Sequence, residues 1–294
     1  MQLLMFRIAS ALVISFIYML FDVFNKRNVP GSFVYFTLGY GFVLTLFYFD
    51  MGAILFSSAV ALVVLGIGYV VYKVGQIGAA DIIELAAISL ILPIQQAPFL
   101  LGRVIQFGLP FVLSVMVAAG MIAMIVVPIY YLPKAKKLFK KSLVSLIDKK
   151  GAFKAIVIII PYLALALFLA AVSSINAVGL AVLLLMMVGS SLLMLFEKPI
   201  TDSMVEFVTI EKCDEGDIIA FNLMGKTEIA TIRKKVKMFD RLLTKDLINE
   251  MKAKRIRNKI PVYKNALPFA VPIFVGVVFS ILFGDIIFFI LPIL

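Results

Sequence analysis

Residues 53–72 read AILFSSAVALVVLGIGYVVY and contain no charged side chain. A helix needs about 20 such residues to cross the hydrocarbon core of a bilayer. Similar stretches recur along the 294-residue chain, which is 63% hydrophobic and 15% charged. Soluble domains are usually about 45–50% apolar and about 25% charged. The sequence therefore predicts an all-α polytopic membrane protein.

Apolar segments alternate with polar or turn-forming residues, and we predict about eight transmembrane helices. They lie near residues 3–21, 32–49, 53–72, 81–97, 107–132, 153–172, 177–196 and 264–293. Pro93 and Pro98 interrupt the fourth, so we expect its far end to bend or re-enter. Nearly all Lys and Arg residues fall in the odd-numbered loops. Since cationic loops stay cytoplasmic, both termini are expected outside the cell membrane and the odd-numbered loops inside.

Composition divides the chain into five parts. These are a transmembrane core (1–132), a basic segment (133–152), an additional helical pair (153–196), a cytoplasmic module (197–263) and a C-terminal transmembrane helix (264–294). Within 134–147, apolar residues share one helical face that lysines flank. This pattern favours a helix lying on anionic lipid headgroups over a plain basic linker.

The segment 197–263 is expected to be a small α+β module. Residues 205–210 suit a strand, 215–217 a turn and 239–256 a helix. Its basic character fits anionic lipid headgroups. Because no aromatic RNA-binding motif accompanies the basic residues, we expect no nucleic-acid partner.

Two compositional absences narrow the chemistry. The chain has no histidine, which excludes Ser-His and Cys-His catalysis and His-metal sites. Its one cysteine, Cys213, excludes an internal disulfide and a thiolate metal cluster. Cys213 lies in the acidic stretch 211–215, EKCDE, which should raise rather than lower the pKa of the thiol. Any enzymatic chemistry is therefore expected to use carboxylates.

Residues 75–84, GQIGAADIIE, place Asp81 at the start of an apolar segment. An ionisable residue there is a functional candidate by default, because it is costly in a bilayer. Asp22 closes the first segment, which runs from outside to inside, and Asp81 opens the fourth, which runs the other way. The topology therefore predicts that both aspartates lie at one depth, near the cytoplasmic face.

Two carboxyl groups that meet in a low-dielectric pocket share one proton, so that one acts as acid and the other as base. Aspartic proteases activate water in this way. The alternative is structural: Asp22 and Asp81 would each cap a helix or pair with Lys26, Arg27 or Lys73.

The sequence around the two aspartates resembles a known family. Residues 21–30, FDVFNKRNVP, and 78–81, GAAD, are together similar to the archaeal prepilin and preflagellin peptidases. These are membrane aspartyl proteases with a Gly-x-Gly-Asp signature. Residues 265–272, NALPFAVP, followed by Phe-Gly-Asp at 283–285, are similar to the last helix of the archaeal members. The resemblance covers about the first 135 and the last thirty residues.

The resemblance implies that Asp22 and Asp81 are the catalytic pair. It also implies that Gly78, Ala79 and Ala80 form the turn before the second aspartate. Ala80 occupies the position of the second glycine in the signature, and alanine there should stiffen the turn. The helical pair within 151–196 has no counterpart in smaller members of the family.

The implied function is removal of a short basic leader peptide from precursors with class III signal peptides, pilin-like or archaellin, at the cytoplasmic membrane face. The resemblance implies that this reaction requires no metal or organic cofactor. Glu84, Lys26 and Arg27 are candidates for modulating substrate binding or the pKa of the pair. Glu84 replaces a lysine that relatives often carry. Together with the acidic stretch 211–217, Glu84 would offer a negative site to a basic leader.

Two other functions are consistent with the same residues. A transporter or channel would use Asp22 and Asp81 as proton or cation ligands. A non-catalytic membrane scaffold would use neither aspartate and would present the basic cytoplasmic module. Loss of processing on substitution of either aspartate separates the peptidase from both.

Overall fold

The computed structural model describes residues 2–25, 28–48, 50–74, 77–94, 109–140, 142–172, 177–236, 239–254, 256, 259–264 and 269–285. Most of these residues are helical, and the long helices coincide with the apolar segments of the sequence.

Apolar helices make up most of the described chain. They are α1 (Gln2–Phe24), α2 (Gly31–Leu46), α3 (Met51–Val74), α4 (Ala79–Ile91), α5 (Phe111–Phe139), α6 (Lys149–Ala171), α7 (Ala177–Leu195) and α11 (Ala270–Phe283). Among the described residues, α1, α3, α5, α6 and α7 are long and apolar enough to cross a membrane, whereas α2 and α11 are apolar but shorter. The protein is thus a helical membrane protein with five candidate spanning helices, and eight spans stay a prediction.

Helix α4 lies at the centre of the bundle. It packs against α1, α2, α3 and α5, and α11 packs against α1 and α5. Small residues permit the closest approaches, as expected for helices that associate in lipid. A Cβ on Gly41 of α2 would lie 3.2 Å from the Ala87 carbonyl oxygen of α4, and a Cβ on Gly276 of α11 would lie 2.8 Å from the Val115 carbonyl oxygen of α5.

Helix α4 ends at Ile91, just before Pro93, as the proline predicts. The buried Arg7 of α1 stabilises this end, because its Nη1 donates to the Ile91 carbonyl at 3.0 Å. Its Nη2 donates to the carbonyl of Leu44, near the end of α2. The guanidinium also lies 3.6 Å from the ring centroid of Tyr48. One cation thereby donates to a carbonyl at the C-terminal end of each of two helices, where the helix dipole favours positive charge. The rest of the far end of the predicted fourth span, residues 95–97, where a bent or re-entrant segment was expected, lies outside the described residues.

The separate basic helix predicted within 133–152 is wrong. Helix α5 continues to Phe139, and Lys140 ends it in the left-handed conformation, with φ 51°. A short 3₁₀ turn at Val144–Leu146 follows. Asp148 then begins α6, since its carboxylate accepts the Gly151 N–H at 2.6 Å. The apolar face predicted over 134–147 extends past the end of α5 and through the 3₁₀ turn, so no single helix in the described part of the chain presents it.

The polar module, residues 197–264, is an α+β unit. It comprises α8 (Glu197–Ser203), β1 (Glu206–Val208), α9 (Lys226–Lys235), α10 (Lys245–Ala253) and β2 (Ile260–Val262). Strands β1 and β2 pair antiparallel, with Phe207 opposite Pro261. The strand predicted at 205–210 and the helix predicted at 239–256 are both present in shortened form. Gly216 lies in the predicted turn with φ 90°. The sequence did not predict α9 or β2.

Candidate active site

Helices α1 and α4 run antiparallel, which brings the two candidate aspartates to one end of the pair. Arg7, near the start of α1, donates to the last residue of α4. Halfway along, Ser15 Oγ donates to Glu84 Oε1 at 2.5 Å. At the far end, Asp22 lies within electrostatic range of Asp81. Residues 59 positions apart in sequence therefore occupy the same level of the bundle.

Asp22 joins α1 to the last helix as well as to α4. The residue is 8% exposed, and its Oδ2 accepts the N–H of Ala270 at 3.0 Å. Ala270 is the first residue of α11, so the carboxylate lies at a helix N-terminus, where the helix dipole favours negative charge. The capping role considered from sequence is thus present, and Asp22 caps a helix 248 residues away.

Asp81 lies in the first turn of α4 and is partly buried. Its Oδ2 accepts the Gly78 N–H at 3.3 Å. A Cβ on Gly78 would lie 2.9 Å from that same oxygen, so a side chain at 78 would crowd the carboxylate. With Gly78 at φ −69°, no left-handed backbone calls for glycine, and a side chain at 78 would displace the Asp81 carboxylate.

The structure revises the expected effect of the alanine in the signature. Ala79 and Ala80 are the first two residues of α4, and Ala80 packs against the apolar core. Alanine is the best helix former, so it suits a position that is already helical. The stiffened turn predicted for Ala80 is therefore an ordinary helix start.

Glu84 is a third carboxyl group of the site. It follows Asp81 by one turn of α4 and is fully buried, at 0% exposure. It lies within electrostatic range of both Asp81 and Asp22. Its Oε2 has no hydrogen-bond partner among the described residues. In this conformation Glu84 does not reach a basic loop or a leader peptide in solvent.

Tyr18 completes the polar interior of this region. It is fully buried between Asp22 and Ser15 on the same face of α1. Its hydroxyl lies 2.9 Å from Thr37 Oγ1 of α2. The ring is within electrostatic range of Glu84 and Asp81.

The basic residues considered as partners of the aspartates do not form ion pairs with Asp81 among the described residues. Lys73 is exposed at the end of α3, and its ammonium lies 5.5 Å from the ring centroid of Tyr69. Lys26 and Arg27, the other two candidates, lie outside the described residues.

The acidic stretch of the polar module already has basic partners. Lys264 Nζ lies 2.7 Å from Asp214 and 3.2 Å from Asp217, and Lys245 lies 3.1 Å from Glu215. Burial lowers the pKa of Lys264, but the two aspartates outweigh burial and raise the pKa above its ordinary value. The negative site predicted at 211–217 is therefore largely compensated within the module.

The thiol of Cys213 has a raised pKa, as the acidic residues around it in the sequence predict. Its thiol is buried and donates to the Thr209 carbonyl at 3.6 Å. Burial first, and Asp217 second, raise the pKa of Cys213 to about 11. A thiol with so high a pKa is a poor nucleophile at neutral pH.

Sequence reasoning missed three groups of this site: Ser15, Tyr18 and the Ala270 amide. A signal for the first two was present, because residues 15, 18 and 22 recur at helical spacing within an otherwise apolar segment. No local signal indicates that the start of α11 lies against Asp22.

Comparison with known proteins adds no relative. No family model, no curated protein and no solved structure matches this chain. Functional assignment therefore depends on the site itself, which contains two aspartates at one level of a helical bundle and a third buried carboxyl group one turn away.

Proposed function

We propose that this protein is a membrane aspartyl endopeptidase that removes the short basic leader from precursors with class III signal peptides, pilin-like or archaellin. One observation carries the proposal. Asp22 and Asp81 come from the ends of two antiparallel helices and lie within electrostatic range of each other. Two carboxyl groups that meet in a low-dielectric pocket share a proton, which is the arrangement that peptide hydrolysis by aspartates requires, and the proposal is that Asp22 and Asp81 meet in this way.

In the proposed reaction the ionised aspartate takes a proton from water, and the resulting hydroxide attacks the peptide carbonyl carbon. The protonated aspartate donates its proton to the carbonyl oxygen. The tetrahedral intermediate then breaks its C–N bond: the departing nitrogen takes up a proton from the pair, and a hydroxyl of the intermediate returns a proton to the pair, which restores its starting state. The pair titrates as a unit, so the acid and base roles belong to both residues together.

The backbone supports the negative charge of the pair. Asp22 accepts the Ala270 N–H and Asp81 accepts the Gly78 N–H, each at the N-terminal end of a helix. Amide donors fixed by helices need no rearrangement when charge moves between the carboxyl groups.

The proposed substrate fits a site at the end of a membrane helix bundle. A basic leader stays in the cytoplasm, while the apolar helix that follows it enters the bilayer. The scissile bond then lies near the membrane surface, at the level proposed for Asp22 and Asp81. The bilayer would therefore align the peptide with the aspartates and reduce the entropy cost of orientation.

The test is co-expression of the full chain with a panel of pilin and archaellin precursors, with leader loss measured by mass spectrometry. Asp22→Asn and Asp81→Asn should each abolish leader loss. Asp50→Asn is the matched control, because Asp50 also caps a helix, accepting the Gly52 N–H at 3.0 Å, but lies in the turn between α2 and α3 at the opposite helix ends.

Leader loss that persists in either Asp22→Asn or Asp81→Asn would reject the peptidase. Failure of the unsubstituted protein to process any member of the panel would favour the transporter or the scaffold. Equal loss in the Asp50→Asn control would show that the substitutions act through folding and not through chemistry.

A further inference from the structure

The proposed hydrolysis uses two carboxyl groups, but the site contains three. Glu84 is fully buried on α4, one turn from Asp81 and on the same helical face. Ser15 Oγ donates to its Oε1, whereas its Oε2 has no hydrogen-bond partner in the described part of the chain. A buried ionised carboxylate normally has both oxygens hydrogen-bonded or paired with a cation.

The ionisable groups that face Glu84 are acidic or neutral. On its own helix the neighbour is Asp81, and on α1 the neighbours are Asp22 and Tyr18. Arg7, the basic residue of α1, is engaged at the opposite end of α4. No cation on α1 or α4 is therefore placed to balance a charge on Glu84.

The other helices packed near α4 add no compensating cation at this level. Helix α2 contributes Tyr40, whose hydroxyl lies 2.8 Å from Ser10 Oγ. The basic residue of α3, Lys73, is exposed. Residues 111–127 of α5 and all of α11 carry no ionisable side chain.

A metal ion does not fit the geometry either. Among the described residues, no three His, Cys, Asp or Glu side chains converge closely enough to hold one. Burying an uncompensated carboxylate costs several kcal/mol. Among the groups that the structure describes around Glu84, a proton is then the one left to compensate its charge, and the bond from Ser15 to Oε1 leaves Oε2 as the oxygen that carries it.

We propose that Glu84 is held as a neutral carboxylic acid by burial and by the bond from Ser15. The three carboxyl groups then carry one negative charge in total, which stays on the aspartate pair. Glu84 thereby adds no charge beside Asp22 and Asp81 and does not raise the proton affinity of the pair. Its catalytic consequence depends on the proposed peptidase function, but its protonation does not.

The first test measures whether Glu84 is protonated and does not depend on cleavage of a precursor. Infrared difference spectra of the full chain in lipid bilayers at neutral pH compare the unsubstituted protein with Glu84→Gln. We expect the substitution to remove a carbonyl band of an un-ionised carboxyl group, and Ser15→Ala to shift that band. Glu197→Gln is the matched control, because Glu197 is half exposed and paired with Lys154, so that substitution should remove a carboxylate band. A carboxylate band lost from Glu84→Gln would overturn the proposal.

The second test measures the pH profile of precursor cleavage, which reports the proton affinity of the Asp22–Asp81 pair. A neutral Glu84 adds no charge, so Glu84→Gln should leave the low-pH limb of the profile in place. An ionised Glu84 would raise the proton affinity of the pair, so removing its charge would move that limb downward. A downward shift of about one pH unit in Glu84→Gln, a tenfold change in proton affinity, would overturn the proposal.

The two tests separate this inference from the peptidase proposal. If no precursor is cleaved, the infrared bands still report whether Glu84 is protonated. If cleavage depends on Asp22 and Asp81 while Glu84 proves ionised, the inference about Glu84 fails and the peptidase stands.

Discussion

The packing of α11 on α5 gives a specific prediction, because it positions Ala270, the first residue of α11, whose N–H bonds to Asp22. A Cβ added at Gly276 would lie 2.8 Å from the Val115 carbonyl oxygen and 3.1 Å from the Ala119 nitrogen. Ordinary contacts at a Cβ begin at 3.4 Å, so Gly276→Ala requires the helices to separate by about 0.6 Å (3.4 − 2.8). Both crowded atoms belong to the backbone and cannot rotate aside.

The expected magnitude follows from two opposing terms. Overpacking of a tight interface costs about 1–3 kcal/mol. Replacing a helical glycine by alanine stabilises a helix by about 1 kcal/mol. Gly120→Ala in α5 has the same helix-propensity gain, and a Cβ there would meet nothing within 4 Å. The difference between the two variants therefore isolates the overpacking term, and Gly276→Ala should be about 1–3 kcal/mol less stable than Gly120→Ala.

The assay is SDS-induced unfolding of both variants in bicelles, followed by far-ultraviolet circular dichroism. Cleavage of a precursor should also fall in Gly276→Ala, because displacement of α11 lengthens the bond from Ala270 N to Asp22. Equal stability of the two variants, within about 0.5 kcal/mol, would refute the close packing of α5 on α11.

Three further predictions concern the regions outside the bundle. Since the pKa of Cys213 is about 11 against an ordinary 9.0, its thiolate is about 100-fold scarcer at neutral pH, and maleimide labelling should be at least that much slower in the native than in the SDS-unfolded protein. Lys264→Met should destabilise the polar module by about 0.5–1 kcal/mol, because the ion pair with Asp214 is partly exposed. Because the pKa of Lys264 is raised, the stability lost in Lys264→Met should be largest below pH 10.5, the ordinary value, and should disappear as the pH rises through the raised pKa. Urea denaturation of both proteins below and above the raised pKa measures this difference. Asp148→Ala should cost about 1 kcal/mol, measured by SDS unfolding, since it removes the N-cap bond to Gly151.

The helical architecture was largely predictable from apolar runs and their punctuation. Pro93 ends α4, and the polar residues before Gly31 and Met51 separate the first three helices, because these residues act locally on the backbone. The common level of Asp22 and Asp81 was also accessible, since an antiparallel order of helices fixes it. For the helix ends the signal lies within a few residues of the feature, and for the two aspartates it lies in the order of the helices.

Other features depend on partners that the local sequence does not indicate. The contact of buried Glu84 with Ser15 depends on which face α1 turns towards α4. The bond between Asp22 and Ala270 depends on where α11 packs, and Ala270 lies 248 residues after Asp22. The basic residues of 134–140 suggested a separate surface helix, yet they continue α5. Tertiary packing decided these points, and composition alone does not encode it.

The most direct measurement of the central claim is a double-mutant cycle on precursor cleavage by the purified full chain in liposomes. Groups that act as one catalytic unit are strongly non-additive, so each of Asp22→Asn and Asp81→Asn should lower the rate by about 10³-fold or more, and the double variant should be no slower than either. Measurable cleavage in one single variant, or a double variant slowed by the product of the two separate losses, would contradict a shared aspartate pair.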